Sequence, residues 1–180
     1  TVTGVQTCAL PIYGGVEITS ISDVPSQGTG LGSSSSYTVG LLNALYAFKG
    51  QLVNAERLAA EACRIEVDIL RKAMGKQDQY IAAYGGLQFI QFQPDETVLT
   101  DPMPCTPELR ERLQQSLLML YTGVTRSASS VLEEQQRKTD TDKFAQDGLR
   151  RLRDLAHQLR DALCAGNLDS FGEILHTGWM

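Results

Sequence analysis

The chain has 180 residues, a formal net charge of −5, 42% hydrophobic residues and 21% charged ones, which is enough to bury a core as one domain or as one domain and part of another. Its basic residues are scattered rather than clustered, so the electrostatic footprint of a nucleic-acid binder is missing. No apolar run approaches the roughly 20 residues that a membrane span requires.

Residues 2–12, VTGVQTCALPI, look like the translation of a common sequencing adapter. They lack both the basic start and the sustained apolar core of a signal peptide. Fold reasoning therefore begins at Tyr13, and the chain is expected to be a fragment. Val16, Ile18 and Ile21 alternate well enough to predict a strand over 13–25, stopped at Pro25, where the ring removes a ladder donor. Val39, Leu42, Leu45 and Tyr46 then recur at helical spacing and predict a helix over 34–48, closed by Gly50. A second helix is expected over 54–74, capped by Asn54, stopped by Gly75 and presenting Leu58, Ala62, Ile65 and Ile69 on one face.

GGLQFIQF and TVLTDP read as strands over 87–92 and 97–101, paired as a hairpin through Pro94 and Asp95. Thr106 and Pro107 supply a cap and a first-turn proline for a short helix over 108–113. The compact apolar run over 116–123 predicts a buried strand. Everything after it is helical: a helix starting between Ser127 and Ser130, a second lined by Leu149, Leu152, Leu155, Leu159 and Leu163, and a third opening at Asn167. Cys8, Cys63, Cys105 and Cys164 are far apart without metal-ligand spacing, which favours a reduced, cytoplasmic compartment. His157 and His176 both sit within helical patterns and read as helix-face residues.

The most informative stretch is PSQGTGLGSSSS, residues 25–36, at the mouth of the first helix. A glycine-rich turn opening a helix presents bare N–H groups at the positive end of the helix dipole, which is a cradle for an anion. The bland reading is a left-handed turn with serine caps. Four consecutive serines exceed what a cap needs, and serine is a mediocre residue inside a helix. Neither GxxxxGK[ST] nor GxGxxG is present.

This stretch resembles the phosphate-binding signature of the GHMP kinases, the galactokinase, homoserine kinase, mevalonate kinase and phosphomevalonate kinase superfamily. The resemblance implies that Gly28, Gly30, Leu31, Gly32, Ser33, Ser34 and Ser35 surround the phosphates of ATP, with the Ser34 hydroxyl on Mg2+. EACRIEVDILRKAMGKQDQYIAAYGG, residues 61–86, resembles the family segment in which a helix-borne glutamate binds Mg2+ and a later aspartate faces the sugar hydroxyl. Glu66 and Asp78 occupy those positions. Without the family, Glu66 reads as a solvated side chain beside Ile65, and Asp78 as a capping residue in a polar turn. LLMLYTGVTRSASSVLEEQ, residues 117–135, resembles the bacterial subgroup that phosphorylates the anomeric hydroxyl of D-glycero-D-manno-heptose 7-phosphate. Fucose, galactose or a related sugar, or a non-catalytic sensor on the same fold, are the alternatives.

The resemblance further implies an α+β fold: a mixed sheet with helices on one side over 13–113, followed by the start of a second α+β domain over 114–180. Asp78 would be the catalytic carboxylate, Glu66 and Ser34 the metal ligands, and Gln79, Tyr84 and Arg126 contacts to the substrate. Lys76 either neutralises phosphate or is solvated. Family members also carry an earlier strand with sugar-binding residues and a later glycine-rich motif. Neither is found here, so the chain as written is expected to show little or no kinase activity.

Overall fold

The computed structural model describes residues 17–21, 30–120 and 128–180. Residues 17–21 carry no regular structure, and the remainder of the strand expected over 13–25 lies outside the described residues, as do residues 1–12.

Helix α1, Ser33–Phe48, has its inward stripe at Ser35, Val39, Leu42 and Tyr46, a 4-3-4 spacing that keeps one face on the core. It ends where Gly50 takes φ 68 and returns its N–H to Ala47 O at 2.9 Å. Helix α2, Ala55–Cys63, starts under the Asn54 side chain, which accepts from the Arg57 N–H at 2.9 Å. Leu58 and Ala62 of α2 pack on Val39, with Leu42, Tyr46, Ala82 and Ala83 around them. At the rim, the Tyr46 hydroxyl donates to the Glu61 carboxylate while Arg57 pairs with Glu61 at 2.9 Å and lies over the Tyr46 ring.

The helix expected to run unbroken to residue 74 changes pitch instead. Arg64–Ile69 is a π-helical turn in which the Leu70 N–H reaches Ile65 O, and residues 70–76 have left the helix. The wider turn alters the phase of the buried face. Ile69, expected on it, is 65% exposed, whereas Glu66, four residues beyond Ala62, is fully buried. The polar turn expected around Asp78 is likewise a helix, α3, Gln77–Tyr84.

Strands β1, Gln88–Phe92, and β2, Val98–Pro102, form an antiparallel hairpin in which Gln88 faces Pro102 and Phe92 faces Val98. This pair is the sheet of the described residues, where the sequence suggested a mixed one. Strand alternation sends Ile90 to a cluster with Ala59, Cys63 and Tyr80, and turns Phe89 the other way. Phe89 meets His157 edge-on at 5.2 Å and lies under the Arg160 guanidinium, so α3 and the later helix that carries His157 and Arg160 both use the hairpin as a platform.

Helix α4, Pro107–Gln115, is capped by the Thr106 hydroxyl and begins with Pro107, as the sequence suggested. The strand expected over 116–123 is absent from its described part: Leu117, Leu118, Met119 and Leu120 are 57–91% exposed and unpaired. A strand is stable only beside a ladder partner, and none lies next to this run among the described residues. Residues 121–123 lie outside them. Helices α5, Ala128–Thr141, α6, Lys143–Cys164, and α7, Leu168–Trp179, complete the chain, with Asp142 and Asn167 capping the last two. The α+β class therefore holds, while 114–180, expected to open a second α+β domain, contains helices and no strand among its described residues.

Candidate functional site

The glycine turn lies directly before α1. Gly30 has φ 68 and Gly32 φ 64, left-handed values at which a side chain is strained. No side chain caps α1 at Gly32, and the first main-chain bond of the helix runs from the Ser36 N–H to Gly32 O at 3.0 Å. A Cβ at Gly32 would come within 3.3 Å of Asp78 Cγ and 3.4 Å of its Oδ2. The absence of a side chain at Gly32 is thus what admits the Asp78 carboxylate, carried on the first turn of α3, to the opening of α1.

A second carboxylate closes the site from below. Glu66, on the π-helical turn, is fully buried, and each of its oxygens has its own partners. Oε2 accepts from the Ser35 hydroxyl at 2.7 Å and from Gln79 Nε2 at 2.7 Å. Oε1 accepts from the Ser34 hydroxyl and from Lys72 Nζ, the latter at 2.9 Å. Lys72 Nζ also donates to Ser34 Oγ at 2.6 Å. Burial pushes the Glu66 carboxyl upward, but the hydrogen bonds from Ser34, Ser35, Lys72 and Gln79 together outweigh it and hold the group below the usual glutamate range. Glu66 is therefore a charged, immobilised acceptor with one oxygen tied inward and the other turned toward the start of α1.

The sequence-derived residues divide accordingly. Gly30, Gly32, Ser34, Glu66 and Asp78 meet around the start of α1. Leu31 is 56% exposed beside them, and Ser33 is half-buried. Ser35, grouped with the phosphate contacts by resemblance, is fully buried, and its hydroxyl is spent on Glu66. Gln79, suggested as a substrate contact, is fully buried as well and holds the same carboxylate from the opposite side. Its Oε1 is buried without a partner among the described residues. Tyr84 stacks on Tyr80 at 6.3 Å, at the far end of α3. Lys76 is neither free nor on the glycine turn: it pairs with Glu96 at 3.0 Å. Gly28 and Arg126 lie outside the described residues.

Lys72 was not anticipated. Nothing in the spacing of RKAMGKQDQ singles it out, because its approach depends on the chain leaving the helix after the π turn. The burial of Ser35 was legible, since the spacing that puts Val39 and Leu42 in the core also puts Ser35 there.

Residues 2–86 match the family model described as GHMP kinases N terminal domain. The match takes in residues 2–12, which resemble adapter sequence. The chain is 28% identical over 158 residues to a D-glycero-alpha-D-manno-heptose 7-phosphate kinase from Campylobacter jejuni, covering 88% of this chain and 46% of that protein. It is 30% identical over 172 residues to the bifunctional fucokinase/GDP-fucose pyrophosphorylase of Arabidopsis thaliana, covering 92% of this chain and 16% of the relative. Among solved structures, a D-glycero-D-manno-heptose 1-phosphate kinase from Bacteroides thetaiotaomicron superposes with a TM-score of 0.72 at 25% identity, over 91% of this chain and 45% of that one. The chain thus spans just under half the length of the two heptose kinases.

Proposed function

We propose that the chain, whose residues 2–86 match the GHMP kinase N-terminal domain model, is part of a cytoplasmic sugar kinase that moves the γ-phosphoryl group of ATP to the anomeric hydroxyl of D-glycero-D-manno-heptose 7-phosphate. The observation that carries this reading is the pairing of Ser34 with the buried Glu66 carboxylate beside a glycine turn against which Asp78 rests. The similarity to heptose kinases supports the acceptor.

Phosphoryl transfer asks a protein chiefly for positioning and charge stabilisation. The turn at Gly30–Gly32, with Gly28 before it in the sequence, and the first N–H groups of α1, at Ser33 and Ser34, would hold the phosphate oxygens, with Leu31 between the two glycines that set the turn. Ser34 Oγ and Glu66 Oε1 would hold Mg2+, which would neutralise charge on the phosphates. The donor set fits that ion: one carboxylate oxygen and one hydroxyl, both hard, already holding a cationic ammonium group. Ser35 and Gln79 keep the carboxylate in place. Asp78 orients the acceptor hydroxyl by accepting its hydrogen bond and takes the proton as the new P–O bond forms. Tyr84 contributes to the sugar side and Arg126 pairs with the phosphate that the acceptor already carries.

The test uses radiolabelled ATP and a chain carrying this segment at the full length of its relatives. Label should pass to heptose 7-phosphate in preference to fucose or galactose, and Asp78→Asn should lower kcat by roughly 10²–10⁴-fold, the usual share of a general base. Label on fucose or galactose instead would reassign the acceptor. An undiminished Asp78→Asn rate would remove Asp78 from the chemistry.

A further inference from the structure

We propose that Lys72 is a built-in substitute cation for the Ser34–Glu66 oxygens, and that a divalent ion enters only as Lys72 withdraws. The inference rests on the reading that these two oxygens hold the metal. It goes further by assigning to Lys72 the control of how tightly they hold it.

The geometry leaves little choice. A carboxylate with no solvent exposure needs a counter-charge, since removing one partner from a buried pair is strongly unfavourable. Oε2 of Glu66 is taken by two neutral donors, Ser35 and Gln79, which fix it without supplying charge. The charge comes from Lys72, whose Nζ lies 2.9 Å from Oε1 and 2.6 Å from Ser34 Oγ, touching both atoms assigned to the ion. Ser34 gives its proton to Oε1 and one of its lone pairs to the ammonium, so Lys72 stands where an ion bridging the two oxygens would stand. Like charges at one position oppose each other, so an ammonium there disfavours a divalent ion on the same two oxygens.

The two partners also differ in freedom of movement. Glu66 is immobilised from within. The Lys72 side chain is 38% exposed, on a flexible four-carbon stem, in the stretch that has left the helix just after Arg71 at φ 53. Withdrawal therefore needs only rotation of one solvent-facing side chain, while the carboxylate stays where Ser35 and Gln79 hold it.

Apparent metal affinity should then fall in proportion to the time that Lys72 occupies the site. Mn2+ alone, titrated by electron paramagnetic resonance into the 180-residue chain, supplies the test without any activity assay. Lys72→Met and Lys72→Gln should each bind Mn2+ more tightly than wild type, by about tenfold if the ammonium leaves the site free about a tenth of the time. Glu66→Gln should abolish binding. Binding that depends on Glu66 but is unchanged or weaker in both Lys72 variants overturns the role given to Lys72 and leaves the metal assignment standing. No Mn2+ bound by wild type or by either Lys72 variant overturns both.

Discussion

The block from Gly30 to Tyr84 and the helical segment from Ala128 to Trp179 are built from similar elements and bury different things. In the first, the largest fully buried side chains are polar or charged: Gln79, Glu66 and Ser35. In the second, the buried side chains among the described residues are Leu155 and Leu163, and the charges stay outside as neighbouring pairs such as Arg150 with Asp147 and Arg153 with Asp154. Buried polar groups confer little net stability and are expensive when only partly satisfied. Their concentration at one helix opening, and their replacement by leucine elsewhere, separates the part of the chain organised around a site from the part organised around packing.

The comparison breaks first at Glu66. Glu66→Ala leaves the buried donors of Ser35 and Gln79 without an acceptor, while Lys72 turns to water, and should lower unfolding free energy by about 1–3 kcal/mol for each of those two donors in a urea titration. A loss under about 1 kcal/mol would mean that the cluster relaxes to water and is not a rigid device. The same carboxylate gives the block a pH dependence of known sign. Its folded pKa lies below the unfolded value, so the stabilisation is full above the usual glutamate range near 4.3 and is lost as pH falls through the lower folded value. Glu66→Gln should flatten that acid limb in thermal melts.

Next in size comes the leucine side of the comparison. Leu155→Ala should cost about 2–4 kcal/mol through the cavity it leaves, with no effect on Mn2+ binding. Ser35→Ala should cost about 1.5–3 kcal/mol, the worth of a hydrogen bond to a charged group, and should also weaken Mn2+ binding, which Leu155→Ala must not do. Smallest of all, Asp147→Ala removes one exposed ion pair of α6 and should leave the melting temperature within about 1 °C.

Much of this contrast was legible in the residues. Period located α1 and the last helices, and the caps expected at Asn54 and Thr106 fixed the starts of α2 and α4, each accepting the bond expected of it. The glycines and serines marked the left-handed turn that opens α1, and the family pattern picked out Glu66 and Asp78, which meet there. Two things escaped. The π turn at Arg64–Ile69 leaves no compositional mark, so the phase of the buried face was carried forward to Ile69 and the α3 helix was read as a turn. The run over 117–120 looked like a buried strand because apolar composition signals burial without naming the partner that provides it. Lys72 escaped for a third reason: its position follows from where the chain goes after the π turn, and periodicity says nothing about that.

The four side chains Leu117, Leu118, Met119 and Leu120 have a practical consequence for anyone handling the protein. Consecutive apolar groups standing in water form an adhesive ribbon, and ribbons of this kind set an upper limit on working concentration. Light scattering should report self-association that rises with concentration and with added sulfate, and a single Leu118→Lys replacement should raise the tolerated concentration while leaving the cluster around Glu66 untouched.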